Sequence, residues 1–222
     1  MKSTTTKTVY NLIILDRSGS MGSIASEAIA GVNETVGTIR AAGKATGMEQ
    51  RVSIVTFCGC STSYFCRNVD VDDVPVMTGK DYRPCCSTPL YDAMGGALTA
   101  LRESVSQSRD AAVSVTIITD GYENASTNWS GESVKALVSL LKADGWLFAY
   151  IGANQDVESV SFSLSIDNAM AFKATAGGTK SMFERERSAR RRWMDMVKDG
   201  QALECATGYF DDINDDTDLS DR

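Results

Sequence analysis

Val9-Tyr10-Asn11-Leu12-Ile13-Ile14-Leu15, running directly into Asp16-Arg17-Ser18-Gly19-Ser20-Met21, is the stretch on which the fold turns. Its apolar half reads as a buried strand over residues 8–15 that ends at Asp16. Its polar half sets one carboxylate and two hydroxyls at alternate positions of a tight, glycine-containing turn. Hard oxygen ligands of this kind suit Mg²⁺ or Mn²⁺, with Ca²⁺ also open, and suit zinc or copper poorly. One carboxylate and two neutral hydroxyls do not fill an octahedral shell, so other residues or a partner must complete it.

Outward from that strand, helical and extended patterns alternate. Ile24, Ala28, Val32, Val36 and Ile39 mark an amphipathic helix over about 22–42, with Gly43 and Gly47 closing it. Residues 51–57 and 63–69 read as two strands joined by a short, Gly59-containing gap, hence an antiparallel hairpin. A loop over about 70–87 leads to Pro89, at the first position of a helix with Leu90, Met94, Ala97, Leu101 and Val105 on one face. A β-branched strand over 112–119 ends at Asp120-Gly121, and helix 131–143, strand 146–151, helix 155–164 and strand 169–173 follow. The last helix is expected over 180–198, with Phe183, Arg190, Trp193, Met194 and Val197 near one side. Gly177-Gly178-Thr179-Lys180 lacks the spacing of a phosphate loop and reads as a turn before that helix.

This alternation predicts an α/β fold: a mostly parallel, six-stranded sheet with one antiparallel edge strand and helices on both faces. In such sheets the ligand site lies beyond the carboxyl ends of the strands, where chain order switches direction. Asp16 and Asp120 both end strands there, and Ser87-Thr88-Pro89-Leu90 opens a helix that can reach the same rim.

Composition narrows the function classes. The chain has 222 residues, 43% apolar and 23% charged, which fits a single domain with a sizeable core. Its apolar runs fall far short of the roughly 20 residues needed to span a bilayer. Lys2 precedes a polar Ser-Thr stretch rather than an apolar leader, so a cytoplasmic location without membrane association is expected. Of the net charge of −7, five units come from residues 211–222, so the acidity belongs to a tail. The body lacks the broad basic face of a nucleic-acid binder. Its one basic cluster, Lys180, Arg185, Arg187, Arg190, Arg191 and Arg192, is read first as a solvated helix face. Attraction to the acidic tail, to an acidic partner or to nucleic acid are the alternatives.

Histidine is absent, which excludes Ser-His and Cys-His nucleophiles and His-ligated metals. Of the six cysteines, Cys58, Cys60, Cys85 and Cys86 make a zinc site conceivable, but C-x-C and C-C are not the usual C-x₂-C pairs. Small buried or half-buried thiols are the preferred reading.

At Asp16, Ser18 and Ser20, at Thr88 in Ser-Thr-Pro-Leu, and at Asp120 in Ile-Ile-Thr-Asp-Gly, the chain resembles the von Willebrand factor A family and its metal-ion-dependent adhesion site. The resemblance spans roughly residues 7–175. The stretches 119–124 and 150–154 look most like stand-alone bacterial or phage members. Cys85-Cys86-Ser87 departs from the glycines that bacterial members often carry before the threonine.

The resemblance implies a Rossmann-like domain over 1–175; the pattern and composition beyond it predict a basic amphipathic helix over 176–200, packed on or extending that domain, and an acidic, disordered tail over 201–222. The resemblance also implies that Ser18, Ser20 and Thr88 bind the ion directly, and that Asp16 and Asp120 help through waters or hydrogen bonds. An ion so held stays electrophilic toward one more anionic ligand, an Asp or Glu from a protein partner. The implied role is therefore non-enzymatic, metal-dependent protein binding, with oligomeric state open.

Each residue also has a local alternative. Asp16 can cap the following helix, Ser18-Gly19-Ser20 can simply form a turn, Thr88-Pro89 matches an N-cap with proline after it, and Asp120-Gly121 is an ordinary turn dipeptide. Two other functions compete. A Mg²⁺-dependent phosphatase would use Asp16 as nucleophile, but Ser18 stands where its acid/base carboxylate belongs. An assembly component would hold the cation only structurally and use the last helix and tail as contacts.

Overall fold

Nine consecutive residues, Thr8–Asp16, form strand β1, and every one of them is buried. A strand buried on both faces belongs at the centre of a sheet with helices above and below. The computed structural model describes residues 7–108, 110–201 and 208–211 and shows that arrangement. The other strands are β2 (Glu49–Cys58), β3 (Ser61–Asp70), β4 (Ala111–Thr119), β5 (Leu147–Gly152) and β6 (Asn168–Ala171). They form one sheet in the order β3-β2-β1-β4-β5-β6. β1 runs parallel to β2 on one side and to β4 on the other. β5 and β6 continue parallel, and β3 is the antiparallel edge strand. The six-stranded, mostly parallel α/β fold expected from sequence is therefore the fold observed.

The helices are α1 (Ala25–Thr46), α2 (Leu90–Val105), α3 (Gly131–Ala143), α4 (Val157–Ser163) and α5 (Ala176–Lys198). Alternation along β1 divides the core. Val9, Ile13 and Leu15 face Ile24, Val32, Ile39, Phe183 and Trp193 of the α1/α5 side. Leu12 and Ile14 face Leu90, Met94, Val138 and Val157 of the α2–α4 side.

Strand ends and α4 shift by one or two residues from expectation, and three larger differences have a local reason. A 3₁₀ turn over Gly19–Ile24 delays α1, which then runs through Gly43 and stops at Gly47, whose φ of +72° supplies the left-handed cap. Pro89 sits at the cap position of α2 rather than inside it. Gly177 and Gly178, expected in a turn, lie in the first turn of α5, where the Thr175 side chain accepts a bond from the Gly178 N–H. A Cβ on Gly178 would come within 2.3 Å of the Lys173 carbonyl oxygen, so a side chain does not fit there.

α5 is a solvated basic face only in part: Lys180 and Arg191 are exposed, but three other arginines are engaged. Arg190 is fully buried, Arg187 pairs with Glu34 of α1 at 2.8 Å, and Arg192 donates to the carbonyls of Gly208 and Tyr209. The apolar and charged sides of the helix were legible; the polar residues on the inner face of the sheet that receive Arg190 were not. Of the segment expected as an acidic tail, residues 208–211 lie against the body, with Tyr209 buried and its N–H bonded to the Asn168 side chain at 3.0 Å. Residues 202–207 and 212–222, with Cys205 and most of the aspartates, lie outside the described residues. Among the described residues no helix is long and apolar enough to cross a membrane.

α1 and α5 approach closely at Gly31. A Cβ built there would lie 2.1 Å from the buried Phe183 ring. Gly31→Ala raises helix propensity by up to about 1 kcal/mol, but overpacking of a rigid ring costs roughly 1–3 kcal/mol. A net loss of stability is expected, read as a lower Tm; an unchanged or higher Tm would show that the two helices separate without penalty.

Candidate metal centre

Chain order reverses between β1, which is followed by a strand on one side, and β4, which is followed by a strand on the other. That reversal opens a crevice at the carboxyl ends of these two middle strands. Asp16 is the last residue of β1 and Asp120 the first after β4, so the sheet brings them together across 104 positions of sequence.

Asp16 is completely buried and held from two directions. Its Oδ1 accepts the Ser18 N–H at 2.6 Å, and its Oδ2 accepts the Thr119 hydroxyl at 2.7 Å. The Tyr82 hydroxyl donates to the Asp16 carbonyl at 2.5 Å. The Ser18 and Ser20 hydroxyls lie 3.1 Å apart, and Ser20 donates to Asp120 Oδ1 at 2.5 Å. Thr88 is buried on the facing loop. Gly121 lies between it and Ser20: a Cβ there would be 3.5 Å from Thr88 Oγ1 and 3.7 Å from Ser20 Oγ. All five residues singled out in the sequence thus meet at one end of the sheet, with Ser20 exposed and the others buried.

Backbone bonds fasten the three segments. Gly19 N–H donates to the Cys86 carbonyl at 3.0 Å, and Cys85 N–H to the Arg17 carbonyl at 2.9 Å. Thr88 N–H donates to the Asn124 side chain at 2.8 Å, and Asn124 N–H returns to the Thr88 carbonyl at 3.1 Å. Cys86 adopts φ +63°, a left-handed conformation that glycine takes more readily. The cysteine departure in this loop is thus accommodated by a backbone conformation in which glycine would be at ease.

The local alternatives fare differently. Thr88 does not cap α2. The helix N-terminus is met instead by the loop after β4, where Glu123 accepts from Tyr91 N–H at 2.8 Å and Ser126 from Asp92 N–H at 3.0 Å. Ser18 sits at the cap of the 3₁₀ turn without a side-chain cap bond, which leaves its hydroxyl to Ser20. Asp16 does make a local turn with Ser18, but its second oxygen is spent across the sheet on Thr119.

Burial lifts the Asp16 carboxyl to about 6, against the pull of the Thr119 and Ser18 hydrogen bonds and with a further push from Asp120. Burial also raises Asp120, opposed by the Ser20 hydrogen bond. Among the described residues no lysine or arginine pairs with either carboxylate. Two desolvated carboxylates without a counter-charge, beside three hydroxyls, form a donor set that fits a hard divalent cation.

Sequence reasoning missed the supporting residues. Thr119 was visible next to Asp120, yet nothing in the sequence marks its bond to Asp16. Tyr82, Asn124 and Asn154, whose Nδ2 reaches the Asp120 carbonyl at 3.3 Å, are single polar residues in loops with no periodic signal.

No protein-family model and no curated protein matches the chain. Solved structures do. Proximal thread matrix protein 1 from the mussel byssus matches at 14% identity and TM-score 0.51, over 89% of this chain and 46% of that one. The pilus adhesin SpaC of Lactobacillus rhamnosus GG, in its open conformation, matches at 12% identity and TM-score 0.60, over 84% of this chain and 30% of that one. Manganese-loaded Plasmodium vivax TRAP protein matches at 16% identity and TM-score 0.52, over 79% and 71%. The chain therefore spans less than half the length of the mussel protein and under a third of the adhesin. At these identities the likeness is one of architecture, and with the strand order described above it gives the chain a von Willebrand factor A-like fold.

Proposed function

We propose that the chain is a non-enzymatic protein-binding domain whose site is of the metal-ion-dependent adhesion type, in a stand-alone bacterial or phage member of the fold. Asp16, Ser18, Ser20, Thr88 and Asp120 would hold Mg²⁺ or Mn²⁺. The cation would supply an electrophilic centre for an Asp or Glu carboxylate of a protein partner. Residues 1–175 would form the binding domain, with the helix over 176–200 as its cover on the α1 side.

One observation carries this: the contact chain Ser18–Ser20–Asp120 joins the ends of β1 and β4 at the switch point of the sheet, beside a buried Asp16 that has no cationic partner among the described residues. Support also comes from two structural neighbours, one a pilus adhesin and one solved with manganese. The chain's own residues have separable tasks. The Ser18 and Ser20 hydroxyls and Thr88 offer neutral oxygens, so little negative charge on the ion competes with an incoming carboxylate. Asp16 fixes the turn through the Ser18 N–H, and Thr119 fixes Asp16.

The test is retention of a host protein on the immobilised chain with Mg²⁺ or Mn²⁺, against the same experiment in excess EDTA. Retention that needs the cation and is reversed by chelator is expected. A partner held equally well in EDTA would end the metal-bridged mechanism while leaving the fold untouched.

A further inference from the structure

The loop that carries Thr88 is tied to the β2–β3 hairpin by sulfur. Cys58 ends β2, Cys60 lies in the following turn, and Cys85 and Cys86 stand on the loop before Thr88. The sulfur atoms of Cys58, Cys60 and Cys85 all lie within 4.8 Å of one another, and those of Cys58 and Cys85 are 3.4 Å apart. Cys86, exposed and next to Cys85 in the chain, is the fourth thiol and lies near enough to Cys60 and Cys85 to shift their ionisation. All four are free thiols. Sulfurs around a tetrahedral ion at about 2.3 Å would stand roughly 3.8 Å apart, a spacing that those of Cys58, Cys60 and Cys85 approach; the exposed Cys86 side chain would turn in as the fourth ligand.

Two further features single out this cluster from chance proximity. Gly59 donates its N–H to the Ser87 carbonyl at 2.8 Å, and a Cβ at Gly59 would fall 2.2 Å from Ser87 Oγ, so hairpin tip and loop are pressed together where a side chain does not fit. The Cys58 sulfur also accepts from the backbone N–H groups of Cys60 and Ser61, and Arg17 Nη2 lies 3.4 Å away while bonding Ser61 Oγ at 2.7 Å. Burial opposes ionisation of Cys58, but these donors, the Cys85 thiol and the Arg17 charge together hold its thiol below the usual value. Such outer donors are what orients and neutralises a metal-bound thiolate.

We propose that Cys58, Cys60, Cys85 and Cys86 form a second metal site, a thiolate cage for a d¹⁰ cation of the Zn²⁺ class, distinct from the oxygen site and independent of the function proposed above. Each ligating thiol releases its proton to solvent as it binds. Cys60 and Cys86 are exposed, which leaves an entry path from the surface. The irregular C-x-C and C-C spacings follow from the geometry: each pair comes from a different segment, and the ion staples the hairpin tip to the loop that holds Gly19 through the Cys86 carbonyl.

Co²⁺ titrated into the reduced, metal-stripped full chain tests this. The expected result is the thiolate-to-cobalt charge-transfer absorption and visible bands of a tetrahedral site, saturating at one ion per chain, displaced by Zn²⁺ and indifferent to excess Mg²⁺. Cys58→Ser/Cys85→Ser should weaken Co²⁺ binding by more than about 100-fold, and so should Cys60→Ser/Cys86→Ser, whose surface positions spare the fold. Asp120→Ala should leave the bands unchanged. Absence of the bands in the reduced chain, their survival in both double variants, or their loss in Asp120→Ala would overturn the proposal.

Discussion

Arg190→Ala is expected to lower the unfolding free energy by about 3–5 kcal/mol, the largest effect of any single substitution considered. The guanidinium is wholly enclosed between α5 and the sheet. It donates through Nε to Glu186 Oε1, which also lies 2.7 Å from Nη2 as an ion pair, through Nη1 to Asn11 Oδ1 at 2.8 Å and through Nη2 to Thr116 Oγ1 at 2.8 Å. Truncation leaves the buried Glu186 carboxylate with neither counter-charge nor solvent, which is where most of the loss arises. The double variant Arg190→Met/Glu186→Leu removes both charges and should recover much of that loss, because a buried ion pair is stabilising chiefly against removal of one partner. Denaturant midpoints of the two single variants and the double variant decide the matter. Single losses near zero, or a double loss equal to their sum, would show that the pair is not coupled as the geometry requires.

The second large effect concerns the candidate metal centre. Asp120→Ala and Asp16→Asn should each weaken Mn²⁺ or Mg²⁺ binding by about 10–100-fold, measured by calorimetric titration of the chelator-treated chain, and partner retention should fall with it. Asp120→Ala deletes the acceptor of the Ser20 hydroxyl, and Asp16→Asn removes a charge at nearly constant shape, its oxygen accepting the Ser18 N–H and its NH₂ donating to a Thr119 hydroxyl that turns to accept. Both carboxyls sit above their ordinary values because burial disfavours their charge, so neither variant should unfold the chain. Unaltered cation affinity in both variants would remove these two residues from the site.

The fold was legible because its signals are local and redundant. An all-apolar run such as residues 12–15 can only be an inner strand, and the 131–143 helix was bounded at the residues observed, with Ser130 capping its start. That the five candidate residues share one end of the sheet was legible because each stands at a strand end or just before or within the first turn of a helix. What supports them was not. Thr119 holding Asp16, Asn124 holding Thr88 and Glu123 capping α2 are pairings between segments, and no periodicity announces which loop residue will meet which. α5 shows the same limit in another form. Its arginines look alike in sequence, yet one is enclosed, one is paired to α1 and one is spent on backbone carbonyls, according to which way each points.

The bond between Arg190 and Asn11 spans 179 positions of chain. At a synthesis rate of roughly 5–20 residues per second, Arg190 leaves the ribosome on the order of 10–40 s after Asn11. For all of that interval α1 alone can cover this side of the sheet, and the polar atoms that receive Arg190 lack their partner. Until α5 arrives, the nascent polypeptide exposes a half-built sheet, and that is the stage at which chaperones have most to protect.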